Sequence, residues 1–142
     1  MQVLFFKQGL EGLKKRYSIH FSVITSGLLF SILHILNPGI TPLAIINISI
    51  IGIIFAYLKE EFSSLNLLIG IHLMWNFTEE IVFGTPNSGI IFPKSIFKIE
   101  SSTNSIFYNP QFGIESAIQT LILWLIAFTI LLNAKRNNKN QK

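Results

Sequence analysis

Apolar residues run along this chain in four long stretches, and most polar side chains fall between the stretches rather than alternating within them. Runs of about 18 residues or more with few charges are read as membrane-spanning helices. The first, 19–36, is softened by Ser22, Thr25, Ser26, Gly27 and Ser31, small or hydroxylated residues that let helices approach closely in lipid. The second, 40–58, is the cleanest, with Pro42 in its first turn, where proline costs little, and Asn47 and Ser49 as packing groups. The third, 65–83, contains Asn66, His72, Asn76, Thr78, Glu79 and Glu80, which predicts a helix facing the bundle interior. The fourth, 114–133, is interrupted by Glu115, Ser116, Gln119, Thr120 and Thr129.

The connections are as informative as the spans. Residues 59–64 form a short polar link, so the helices on either side are expected to be antiparallel neighbours. Residues 84–113 bring prolines, glycines and Asn and Ser turns, and predict an extramembrane loop that folds back on the bundle. Residues 1–16 read as the end of a helix meeting the membrane surface, and 134–142 as a basic, disordered tail. Residues 1–142 are therefore expected to form a single membrane domain, an all-α polytopic helix bundle with about four transmembrane helices.

Composition agrees with that pattern. Only 13% of the residues are charged, against about a quarter in soluble domains, and too few polar groups remain to cover a water-soluble core. Mean hydropathy is +0.53. The net charge of +4 comes from clusters that flank the spans, so the expected partners are membrane lipids and not nucleic acid. Four spans would put both termini, with the clusters Lys14 to Arg16 and Lys135 to Lys142, on one side, which predicts a multi-pass membrane protein with cytoplasmic termini. The net-negative link at 59–64 runs mildly against this. With no cysteine, disulfides and thiolate metal sites are excluded.

Candidate chemistry is confined to two places. His72 and Asn76 lie one turn apart on one helix face in the run Ile71-His72-Leu73-Met74-Trp75-Asn76-Phe77. His34 ends the run Phe30-Ser31-Ile32-Leu33-His34, directly before the terminator Asn37-Pro38-Gly39. Polar groups at lipid depth face protein, a cavity or chemistry. The plainer alternative is interhelical hydrogen bonding, worth about 0.6 kcal/mol per pair. Parallel first and third spans bring the two histidines together only if the helices are offset or tilted by roughly two turns. His20 reads as interfacial, and Trp75 and Trp124 as core filling.

These residues resemble the CPBP family of intramembrane metalloproteases, which includes the CAAX prenyl proteases and bacterial proteins linked to bacteriocin self-immunity. Phe30 and His34, followed by Asn37-Pro38, match a Phe-x-x-x-His motif. His72 and Asn76, preceded by Ser64-Leu65 and Ile69, match His-x-x-x-Asn, and the likeness extends from about Leu10 to Gly89. The resemblance implies a membrane-embedded metalloendopeptidase with His34, His72 and Asn76 as catalytic residues. His34 and His72 would bind a divalent metal such as Zn or polarise the water, and Asn76 would donate to the oxyanion. The implied substrates are membrane-associated peptides or proteins such as prenylated C-termini.

One motif of that family, Glu-Glu-x-x-x-Arg, is not matched. Met1 and Gln2 stand in the glutamate columns and Phe6 near the arginine column. The chain is thus expected to correspond to the C-terminal portion of a longer protease, truncated and lacking its water-activating carboxylate. Glu11 and Arg16 have the right mutual spacing, but Gly12 replaces the second Glu and Glu11 lies close to His34 in sequence. Glu79 and Glu80 share a helical face with His72 and Asn76, so one of them is a candidate metal ligand or general base; the plainer reading leaves both solvated at the water interface. Two other function classes stay open. One is a non-catalytic membrane protein, an immunity or partner-binding module. The other is a bundle lining a polar path for a small solute or ion, for which only Glu115 qualifies in the fourth span.

Overall fold

A computed structural model describes residues 2–101 and 103–140. Met1 and the side chains of Gln2 and Phe6, the positions of the unmatched motif, lie outside the described part, as do Gln141 and Lys142. The described residues form α1 (Gln2–Lys14), α2 (Ile19–Ile32), α3 (Pro42–Phe62), α4 (Leu65–Phe77) and α5 (Ile118–Asn140), with a π-helical segment at Thr78–Phe83 and a 3-10 turn at Ile114–Ser116. The fold is all-α.

Three of these helices begin on a hydroxyl cap that the sequence supplies. Ser18 accepts from the Phe21 amide at 3.3 Å, Thr41 from Ala44 at 3.1 Å and Ser64 from Leu67 at 3.3 Å. Each satisfies a backbone donor that the helix itself leaves open, and Pro42 takes the first position of α3, where its missing N–H is no loss.

Helix α3 is the central element, packed against α2, α4 and α5. Its 21 residues span about 32 Å, the thickness of a bilayer core. Among the described residues it is the one helix long and apolar enough to cross a membrane. Against it lies the small-residue face of α2, where Ser22, Ser26, Gly27 and Ser31 are all buried. Gly27 and Gly52 meet at the crossing, and a Cβ on Gly27 would stand 2.5 Å from the Ile53 amide nitrogen. Close helix approach is thus written into the sequence as small residues. The outward faces are apolar: Phe21, Ile24, Leu28 and Leu29 on α2, Leu73 and Met74 on α4, and Ile122, Leu123 and Ile126 on α5 are exposed. An apolar coat over a core that holds serines suits a lipid solvent.

The remaining spans differ from their sequence boundaries for local reasons. Helix α2 stops at Ile32, and the chain continues to Asn37 in tighter turns, with the His34 amide donating to Ser31 O and the Asn37 amide to His34 O, each at 3.0 Å. Pro38 disfavours helical geometry at Asn37, so the chain has left the helix by that residue. The third span changes at Thr78 from α to π. The fourth begins with a 3-10 turn and an extended Ala117 before α5 starts. The basic tail, expected to be disordered, is helical through Asn140; Ala134, Lys135 and Arg136 are strong helix formers.

The long loop does fold back. Its ends are buried at Thr85, Pro86 and Asn87 and at Asn109, Phe112 and Gly113, while residues 90–100 and 103–107 are exposed. Phe112 is completely buried in the core. Asn109 Oδ1 fixes that end by accepting from the amides of Gln111 at 2.8 Å and Phe112 at 2.9 Å.

Candidate functional site

His34 sits just beyond α2 and is buried. Its Nδ1 lies 2.8 Å from Phe30 O, and because a carbonyl only accepts, Nδ1 carries the proton and Nε2 is the acceptor nitrogen of the neutral ring. The Phe-x-x-x-His spacing produces this bond, one helical turn long. Phe30 also packs on the imidazole at 4.9 Å between centroids and meets His72 edge-on at 6.4 Å. Phe55 of α3 approaches His72 from another side at 6.2 Å. Both imidazoles are therefore oriented by aromatic rings.

His34, His72 and Asn76 line one cavity of about 140 Å³. The two histidines share this cavity although His34 lies past the end of α2 and His72 in the middle of α4, so the two helices are offset along their lengths. Asn76 Oδ1 is buried without a hydrogen-bond partner among the described residues. Glu80 also faces this cavity, and Asn87 Nδ2 donates to its Oε1 at 2.9 Å.

Glu79 behaves differently. It is 1% exposed, and neither carboxyl oxygen has a partner among the described residues. The reading of Glu79 as a solvated interface residue fails here, and so does the shared face with His72 and Asn76, because Glu79 does not line the cavity. In the π segment each residue advances less around the axis than in an α-helix; Glu80 keeps to the cavity face with His72 and Asn76 as expected, while Glu79 turns away from it.

One cavity residue was not singled out as part of this site from the sequence. Glu115, from the 3-10 turn before α5, presents its carboxylate to the same space as the histidines. Trp75 Nε1 donates to its Oε1 at 3.2 Å, and Ser88 Oγ donates to Oε2. Asn47 of α3 fixes the backbone there, donating to Glu115 O at 2.8 Å and Ala117 O at 2.9 Å. The available signal was a lone carboxylate at the edge of an apolar span, with Asn47 the only amide in the span opposite it. Trp75 and Trp124 do fill the interior, 4.9 Å apart between centroids, but Trp75 also places its N–H on Glu115.

Residues 87 and 88 tie the site together. Asn37 Nδ2 donates to Ser88 O at 2.8 Å, so the loop joins the end of α2, the π segment and the start of α5. Gly89 has φ +81, and a Cβ there would stand 2.2 Å from Pro38 O; only glycine allows the loop to lie this close.

A metal ion would find two imidazoles at this cavity. Among the described residues no group of three or more His, Asp or Glu side chains is placed to hold an ion. Structural and catalytic zinc sites use at least three protein ligands, so these residues do not by themselves fit a resident metal.

The fold is all-helical with an apolar exterior, and its cavity brings together two His-bearing segments. The chain belongs to the type II CAAX prenyl endopeptidase Rce1-like family, whose model matches residues 3–78, more than half of its length. His34, His72 and Asn76 fall within the match; Glu79, Glu80 and Glu115 lie beyond it. No curated protein and no solved structure matches the chain.

Proposed function

We propose that the cavity is the active site of a CAAX-type endopeptidase that cleaves membrane-associated peptides, with His34, His72 and Asn76 as its reacting groups. The observation that carries the reading is the convergence of both motif histidines and Asn76 on one internal cavity. His34 Nε2, in the tautomer set by Phe30 O, suits a water or a developing charge, and the Asn76 amide suits an oxyanion. Helices α2 to α5 would cross the membrane, with cytoplasmic termini in a bacterial cell membrane. Zinc enters this reading only through His34 and His72, and no step is assigned to it.

A second reading is favoured by the incomplete ligand set: a non-catalytic relative that uses the polar cavity to hold a membrane partner. Both are tested on the purified chain in detergent, by its metal content and by release of the C-terminal tripeptide from a farnesylated CAAX peptide. Cleavage that falls about 10²–10⁴-fold in His72→Ala is the expected result. No cleavage by a folded chain would overturn the enzyme reading in favour of the binding one.

A further inference from the structure

We propose that Glu115 is the carboxylate that activates the attacking water in this cavity. The inference rests on the endopeptidase reading above and adds a residue to it from a segment beyond the family match.

Three observations converge on Glu115. Its carboxylate lines the same cavity as His34, His72 and Asn76. Its two oxygens accept from Trp75 Nε1 and from Ser88 Oγ, which orient the carboxylate. Its backbone is clamped by Asn47, so the carboxylate is held on a rigid support rather than on a mobile side chain. Of the other carboxylates, Glu79 does not line the cavity; Glu80 does, with Asn87 Nδ2 on one of its oxygens, and is the competitor that the test includes.

The chemistry balances without a further reagent. Water attacks the scissile carbonyl carbon, forming the C–O bond while a Glu115 oxygen takes its proton, and the carbonyl electron pair moves onto oxygen beside the Asn76 amide. Collapse restores the carbonyl and breaks the C–N bond. The proton held by Glu115 then passes to the leaving amine, giving a carboxylic acid and an amine from one peptide bond and one water.

The test compares Glu115→Gln, Glu80→Gln and His72→Ala with the unmodified chain, on a farnesylated CAAX peptide in detergent, with helicity checked by circular dichroism. Glu115→Gln keeps the shape and an acceptor for Trp75. It is expected to lose about a hundredfold or more in kcat with KM unchanged. Activity retained in Glu115→Gln but lost in His72→Ala or Glu80→Gln would overturn the role of Glu115 while leaving the endopeptidase reading standing. An unmodified chain that does not cleave removes the reading itself, and the role with it. If Glu115→Gln does not fold, Trp75→Phe with Ser88→Ala is read instead: it leaves the carboxylate but removes both donors. A kcat loss of about tenfold at constant KM supports the proposal, and an unchanged kcat overturns it.

Discussion

Helix α3 carries carboxylate-rich clusters at its two ends, and they are handled in opposite ways. Near its C-terminal end Glu60 pairs with Lys14 at 2.5 Å and with Lys59 at 2.9 Å, while Lys59 also pairs with Glu11 of α1. Near its N-terminal end Asn47 fixes the backbone of Glu115. Among the described residues Glu79, Glu80 and Glu115 have no lysine or arginine partner; Glu80 and Glu115 meet only neutral donors, and Glu79 none. Asn47 and Lys59 lie about 18 Å apart along one helix. The same residue type thus forms ion pairs at one end and stands without a basic partner at the other. A lysine neutralises a carboxylate and satisfies it, whereas a serine, an indole or an amide leaves it able to take a proton.

Four changes probe that contrast. The largest effect is expected where the two ends are joined. Gly27→Val puts side-chain atoms into the Ile53 backbone and should destabilise the protein by about 3 kcal/mol, the upper part of the range for overpacked cores. A thermal midpoint in detergent measures it, and both ends should loosen together. Next comes Asn47→Leu, which strands the carbonyls of Glu115 and Ala117 at a cost of about 2 kcal/mol. Here the cavity end alone should respond, seen as faster amide exchange around residues 113–118 with α1 unchanged.

A smaller change of opposite sign is expected from Glu79→Gln. A buried carboxyl without a partner is expensive in any ionised form, so the neutral isostere should stabilise by about 1 kcal/mol. A loss of stability would mean that Glu79 has a partner that matters. Smallest of all is the lysine-paired end. Exposed ion pairs contribute about 1 kcal/mol or less, so Glu11→Gln should shift stability little and only at low salt. The hydrogen bond from Lys59 holds the Glu11 carboxyl below its ordinary value. A depressed carboxylate stabilises fully above the unfolded value and loses that contribution as pH falls through the folded value. The difference between the native chain and Glu11→Gln should therefore be flat at neutral pH and vanish only in acid.

Much of this was legible in the sequence. Ser18, Thr41 and Ser64 cap helices where the apolar runs begin, and the small residues of 19–36 mark the face that meets α3. His34, His72 and Asn76 were legible because polar groups in apolar helices need a destination. Glu115 was harder, since its route into the cavity passes through Asn47, Trp75 and Ser88, three contacts far away in sequence. The burial of Glu79 was hidden for another reason: a helical face counted at 3.6 residues per turn assumes an α-helix, and the π segment at Thr78–Phe83 breaks that count. The short α2 and the helical tail show the same limit, because caps and proline restrictions shift helix ends without altering the apolar runs that announce them.

The most direct measurement places one change at each end of α3: turnover of a farnesylated CAAX peptide by the unmodified chain, His72→Ala and Lys59→Met, reconstituted in lipid vesicles. The account predicts turnover by the unmodified chain and by Lys59→Met at similar rates, with His72→Ala reduced by about 10²-fold or more. Equal turnover in all three, or loss in Lys59→Met with His72→Ala intact, would contradict it.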